Sequence, residues 1–179
     1  MTMAKMDLVN VNYADVKKKR EEVETTTEQV NQMVDEIVKK YCQDTDKLLI
    51  AIKDILFAEQ DNELSNAELD NIVLKLPVLV YFANAGQEYV GLQEDVAKFA
   101  RQLKFSEFFN QAAGTVADKT NYAETKANEE EVVRVVYSRA YKIIRGKMEM
   151  ALELLQSAKK VISRRMGETQ IPTEDSNAR

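Results

Sequence analysis

The sequence predicts an all-α protein of long antiparallel helices, and three observations predict it. Only five Gly and two Pro occur in 179 residues, and none precedes Pro77, so the first 76 residues hold no strong helix breaker. Apolar residues recur at three- and four-residue steps almost throughout. The chain is 45% apolar and 31% charged, too hydrophobic for a disordered segment and too charged for a membrane span. The longest apolar run, Leu76 to Ala83, contains Pro77 and falls short of the roughly 20 residues that a spanning helix needs. A chain of this length makes one core, so a single helical domain over residues 13–167 is expected, with an N-terminal arm at 1–12 and a disordered tail at 168–179.

The first helix is expected over about 13–60. Val23, Thr27, Val30, Val34, Ile37, Tyr41, Leu48, Ile52 and Ile55 form a coiled-coil-like heptad seam, with bends most natural at Thr25 to Thr27 or at Gln43 to Asp46. A helix of that length, roughly 70 Å at 1.5 Å per residue, must fold back on others or pair with another subunit. Residues 61–66 connect it to the next. There Ser65 followed by Glu68 reads as a capping box, opening a helix over 66–76 whose apolar face is Leu69, Ile72, Val73 and Leu76. Pro77 either kinks that helix or starts the next one, expected over 78–110 with helical spacing through Leu79, Phe82, Tyr89, Val96, Phe99, Leu103 and Phe108. Gly86 and Gly91 inside it suit close packing or a bend; their spacing is not a nucleotide-loop pattern. Gln111 to Lys119 is a second connection, capped by Thr115 or Asp118. A last helix over 118–166 ends at Gly167.

Little in the chain suggests catalysis. There is no His and one Cys, which removes the most common proton-transfer residue and the usual zinc and iron ligand sets. Cys42 reads as a small buried hydrophobe without a disulfide partner. The run Glu129 to Glu131 suits the positive end of a helix dipole; consecutive residues point in different directions, so it is not read as a metal site. No enzyme, cofactor or metal is therefore expected. The first ten residues lack a basic stretch followed by an apolar core, so no secretory signal is expected and a cytoplasmic location is the default.

The last third of the chain carries the strongest functional signal. From Arg134 to Arg165 nine Lys or Arg stand against Glu149 and Glu153, a surplus of seven positive charges; since the whole chain is −5, the remainder carries −12. Val133, Val136, Ala140, Ile143, Ile144, Ala151, Leu154, Leu155, Ala158, Val161 and Ile162 share one helical arc. Arg134, Lys142, Arg145, Lys159, Lys160 and Arg164 lie opposite. Clustered bases attract nucleic-acid phosphates, and Tyr141 among them offers a stacking surface that favours single strands. The candidate nucleic-acid contacts are Arg134, Arg139, Tyr141, Lys142, Arg145, Lys159, Lys160 and Arg164. The competing reading is a solvated helix face or a surface that docks on an acidic protein. Lys147 and Arg165 project within the apolar sector, where their stems snorkel to the edge or meet carboxylates across an oligomer seam.

The segment Tyr141-Lys142-Ile143-Ile144-Arg145, and above all Leu152-Glu153-Leu154-Leu155-Gln156-Ser157-Ala158-Lys159-Lys160-Val161-Ile162-Ser163-Arg164-Arg165, resembles the C-terminal region of the recombination mediators of tailed phages. The resemblance covers about the last quarter of the chain. It implies a small helical protein that self-assembles, binds single-stranded DNA and helps load a recombinase, in the host cytoplasm if phage-encoded. It also implies DNA contacts at Lys159, Lys160 and Arg164 and packing roles for Leu155, Val161 and Ile162. The leading expectation is thus a non-enzymatic, oligomeric single-stranded-DNA-binding accessory protein of recombination or replication. The alternative is a helical scaffold, adaptor or inhibitor acting through protein contacts, and no membrane partner is expected.

Overall fold

The computed structural model describes residues 13–58 and 63–169, and these form four helices and no strand. They are α1 (Tyr13–Leu56), α2 (Asn66–Gln111), α3 (Val116–Lys126) and α4 (Asn128–Thr169). The expected arm at 1–12 and most of the expected tail lie outside the described residues, and α4 itself continues through Glu168 and Thr169.

Two helix boundaries differ from the sequence expectation. The helices expected on either side of Pro77 are one, with Pro77 inside α2. Pro77 is exposed, so its ring takes no room on the packed side of α2 and costs the helix one hydrogen bond, the one to the carbonyl of Val73. Conversely, the single helix expected over 118–166 is two. It breaks at Ala127, which leaves helical geometry at φ −93° and ψ 8°, letting α3 lean on the end of α2 while α4 turns down the bundle. Both connections end in capping boxes. At α2 the Ser65 hydroxyl accepts from the Glu68 N–H and the Glu68 carboxylate accepts from the Ser65 N–H at 2.7 Å; Thr115 and Asp118 repeat the arrangement at α3. Gly114 precedes the second box at φ +108°, a conformation that suits Gly because it has no Cβ.

Three helices make the core. α2 runs antiparallel to α1 and α4, which are parallel to each other. Towards one end, Val30, Val34, Val38 and Cys42 of α1 meet Ala83 and Val90 of α2 and Val136, Ala140, Ile144 and Met148 of α4. Towards the other, Ile52 meets Leu69, Ile72 and Leu76 of α2 and Ala151, Leu155 and Ala158 of α4. The stripes of α1 and α4 thus largely cover each other and α2 within one chain. The described residues of α1 before Val30 are all exposed, so that end of the helix overhangs the bundle. Lys147 donates to Asp46 of α1 at 2.5 Å, and Arg165 donates to the Leu64 carbonyl at 2.8 Å and to Asn66 at 2.9 Å. Both bases of the apolar sector therefore find acceptors inside the chain.

α2 departs furthest from what its spacing suggests. Leu69, Ile72 and Leu76 are buried near its start, but beyond Pro77 the buried side is lined by Ala83, Gly86, Gln87, Val90 and Ala97, mostly small residues that fit the alanines of α4. Phe82, Tyr89, Val96, Phe99 and Leu103, the bulky stripe of the sequence, face outward at 52–63% exposure.

Candidate nucleic-acid interface

α4 presents its apolar arc to α1 and α2 because Val136, Ala140, Ile144, Met148, Ala151, Leu155 and Ala158 recur every three or four residues and are all buried. The opposite side of the helix is consequently exposed, and it carries most of the candidate contacts. Lys142, Arg145, Lys159, Lys160 and Arg164 are exposed there. Lys142 and Lys160 are 18 residues apart, five turns, so they point the same way about 27 Å from each other.

Several of these cations already have partners. Arg145 Nε lies 2.8 Å from Glu149 Oε1 with both side chains 61% exposed, and Arg164 Nε lies 3.6 Å from Glu168 Oε1. Such solvent-exposed pairs contribute little, so a phosphate can displace the carboxylate. Lys142, Lys159 and Lys160 have no carboxylate within ion-pairing distance among the described residues. Glu149 and Glu153 lie between the two basic groups on nearly the same line of the helix. The face is therefore two basic clusters, near 139–145 and 159–164, separated by an acidic interval.

Three candidates lean on the neighbouring helices. Arg134 is held against α2, its Nη2 2.6 Å from Glu131 and its Nη1 3.9 Å from Glu94. Arg139 is exposed but leans towards α1, donating to Asn31 Oδ1 at 3.4 Å and lining a groove with Glu22, Val23 and Thr26. The Tyr141 ring is half-buried against the core. A Cβ at Gly91 would come within 3.3 Å of its Cε2, so the glycine gives the ring its seat on α2.

The electrostatic feature that sequence reading missed is a cluster between α2 and the start of α4. Lys104 Nζ lies 2.5 Å from Glu130 and 3.9 Å from Glu129, and Arg101 Nε lies 2.9 Å from Glu131. The hydrogen bond from Lys104 holds the Glu130 carboxyl below its ordinary value. The one from Arg134, helped by the charges of Arg134 and Arg101, does the same for Glu131. Lys104 and Arg101 lie 25 to 30 residues from their glutamate partners in sequence, so no local pattern reveals these pairs. Among the described residues no three acids or cysteines gather as a metal site, and no helix is long and apolar enough to cross a membrane. Comparison with protein-family models, with curated proteins and with solved structures finds no match to this chain.

Proposed function

We propose that this protein is a non-enzymatic, single-stranded-DNA-binding accessory factor of recombination or replication, which meets the phosphate backbone along the outward side of α4. The observation that carries the reading is the exposed set Lys142, Lys159 and Lys160, which have no carboxylate partner among the described residues. Arg145 and Arg164 flank them in weak, displaceable pairs. Unpaired cations on a rigid helix recover entropy from counterions when phosphates arrive. The resemblance of residues 141–165 to recombination mediators supplies the accessory role. Arg134 and Tyr141, engaged with Glu131 and Gly91, hold the helix in place rather than contact the strand.

Fluorescence anisotropy with labelled single-stranded and duplex oligonucleotides at two salt concentrations tests this. The expected result is salt-sensitive binding that favours the single strand. Replacing Lys142, Lys159 and Lys160 by Glu should lower the slope of log affinity against log salt by roughly 2, at about 0.7 per phosphate contact on a single strand, with helicity unchanged. A triple variant that binds like the parent removes these lysines from the interface. If the parent itself shows no binding at low salt, the second reading takes over: an adaptor that works through protein contacts, its exposed bases on α4 meeting an acidic protein surface.

A further inference from the structure

α2 has two apolar faces, and only one of them is covered. On the uncovered face, Phe82, Tyr89, Val96 and Leu103 recur every seven residues, and so do Val78, Ala85, Leu92 and Phe99. The two sets are offset by four, which makes them the a and d positions of a heptad repeat sustained for four heptads. All eight are exposed, the seven large ones by 52–63%. Leu74 and Tyr81, both 71% exposed, widen the stripe along one edge, where the Tyr81 and Phe82 rings meet edge to face at 5.5 Å. From Val78 to Leu103 it runs about 38 Å. Exposed apolar patches of this size mark interaction sites.

We propose that a second copy of this chain covers this face, the two α2 helices running parallel with their a and d residues in register. This inference is independent of the nucleic-acid reading. A seven-residue period is the signature of a helix partner, because it keeps one seam facing another helix over its whole length. A twofold pair supplies such a partner, since each copy presents the same patch. The area suffices. Four aromatic side chains, each more than half exposed, and five aliphatic ones offer roughly 600–900 Å², against about 800 Å² per partner in a stable interface.

Charge along the edges selects the direction. The g positions carry Tyr81, Glu88, Asp95 and Gln102, and the e positions Leu79, Gly86, Gln93 and Ala100. In an antiparallel pair g faces g, which brings Glu88 of one copy beside Asp95 of the other, twice over. In a parallel pair g faces e, so Glu88 meets Gln93, Asp95 meets Ala100, and no like charges oppose. Tyr81 then arrives beside Gly86 of the other copy, at the groove between α1 and α2 that Lys40, Tyr41, Asp44, Phe82 and Tyr89 line. Lys75, the next a position towards the N-terminus, is exposed and marks where the seam ends, its stem free to turn to solvent.

Sedimentation equilibrium of the full chain should give at least twice the 20.4 kDa of one copy. Leu92→Glu and Phe99→Glu should each reduce the mass to one chain with the helical circular dichroism intact, because both side chains are already exposed in the single copy. Val116→Glu, at a still more exposed position on α3, should leave the mass unchanged. Direction is read by cross-linking in a Cys42→Ala background. Phe82→Cys should form a covalent pair with itself on mild oxidation. In the antiparallel arrangement those cysteines stand about 26 Å apart, and only a mixture of Phe82→Cys with Phe99→Cys would link. A parent that stays at one chain mass at tens of micromolar, or a mass that neither glutamate lowers, overturns the seam. Linking confined to the mixture overturns its direction.

Discussion

At Gly86 the side chain of Tyr41 on α1 presses directly on the backbone of α2. A Cβ placed there would fall under 3 Å from the Cβ of Tyr41 and closer still to its ring, and Tyr41 is itself wedged against the core. Glycine costs a helix interior about 1 kcal/mol relative to alanine, so its presence here is explained by the crossing. Gly86→Ala should lower stability, because overpacking costs about 1–3 kcal/mol and exceeds the gain in propensity. Gly146, in the middle of α4, meets nothing within 4 Å of its would-be Cβ, and Gly146→Ala should raise stability by up to about 1 kcal/mol. Thermal denaturation of the two variants should therefore move in opposite directions; a higher melting temperature for Gly86→Ala would mean that Tyr41 yields without cost. The sequence suggested close packing or a bend at Gly86. It could not identify Tyr41 as the neighbour, because residues 41 and 86 are joined only by the path of the chain.

At the scale of elements, the junction of α2 with α4 is held by charge. Glu130 and Glu131 have carboxyls held below their ordinary value in the folded chain, through hydrogen bonds from Lys104 and Arg134 respectively. A carboxyl depressed on folding stabilises the fold above its unfolded value, and that stabilisation disappears as pH falls through the depressed folded value. The capping carboxylates Glu68 and Asp118 are depressed too, first by their hydrogen bonds with Ser65 and Thr115, and add to the same acid limb. Melting temperature should fall as pH is lowered below about 4.5, and the double variant Glu130→Gln, Glu131→Gln should show a shallower fall than the parent. Parallel acid limbs would mean that the cluster contributes nothing to folding. The capping box at Ser65 was legible because it is local and residue-specific. The break at Ala127 was not, since Ala127 and its neighbour Ala123 are fully buried alanines and alanine by itself favours continuing a helix. At Pro77 the sequence left open a kinked helix or a new start, and α2 runs on through it, a choice that rests on the packing around it.

For the whole molecule, the all-α fold was legible because breakers are nearly absent and helical spacing is nearly continuous. The covered side of α2 was legible at its start, where Leu69, Ile72 and Leu76 are buried as expected, but not beyond Pro77, where two apolar faces satisfy the helical period and the bulkier one turned outward. Small residues decide the matter: Ala83 and Ala97 on α2 and Ala140, Ala151 and Ala158 on α4 let helix axes approach where aromatic rings would hold them apart. The candidate site was legible to the extent that it depends on α4 alone, which places Lys142, Lys159 and Lys160 on the outside. It was illegible where α2 intrudes, at Arg134 and Tyr141. Cys42 adds a last consequence of this packing. It is completely shielded by the three-helix core, and burial, reinforced by the charge of Asp46 and opposed by that of Lys147, pushes its thiol up. The chain has no other cysteine, so a thiol reagent reads a single event, the parting of α1 from the bundle. Modification should be slow in the native protein and accelerate in urea below the unfolding transition, whereas instantaneous labelling in buffer would contradict the sealed position. The molecule thus carries its own clock for how often its first helix breathes.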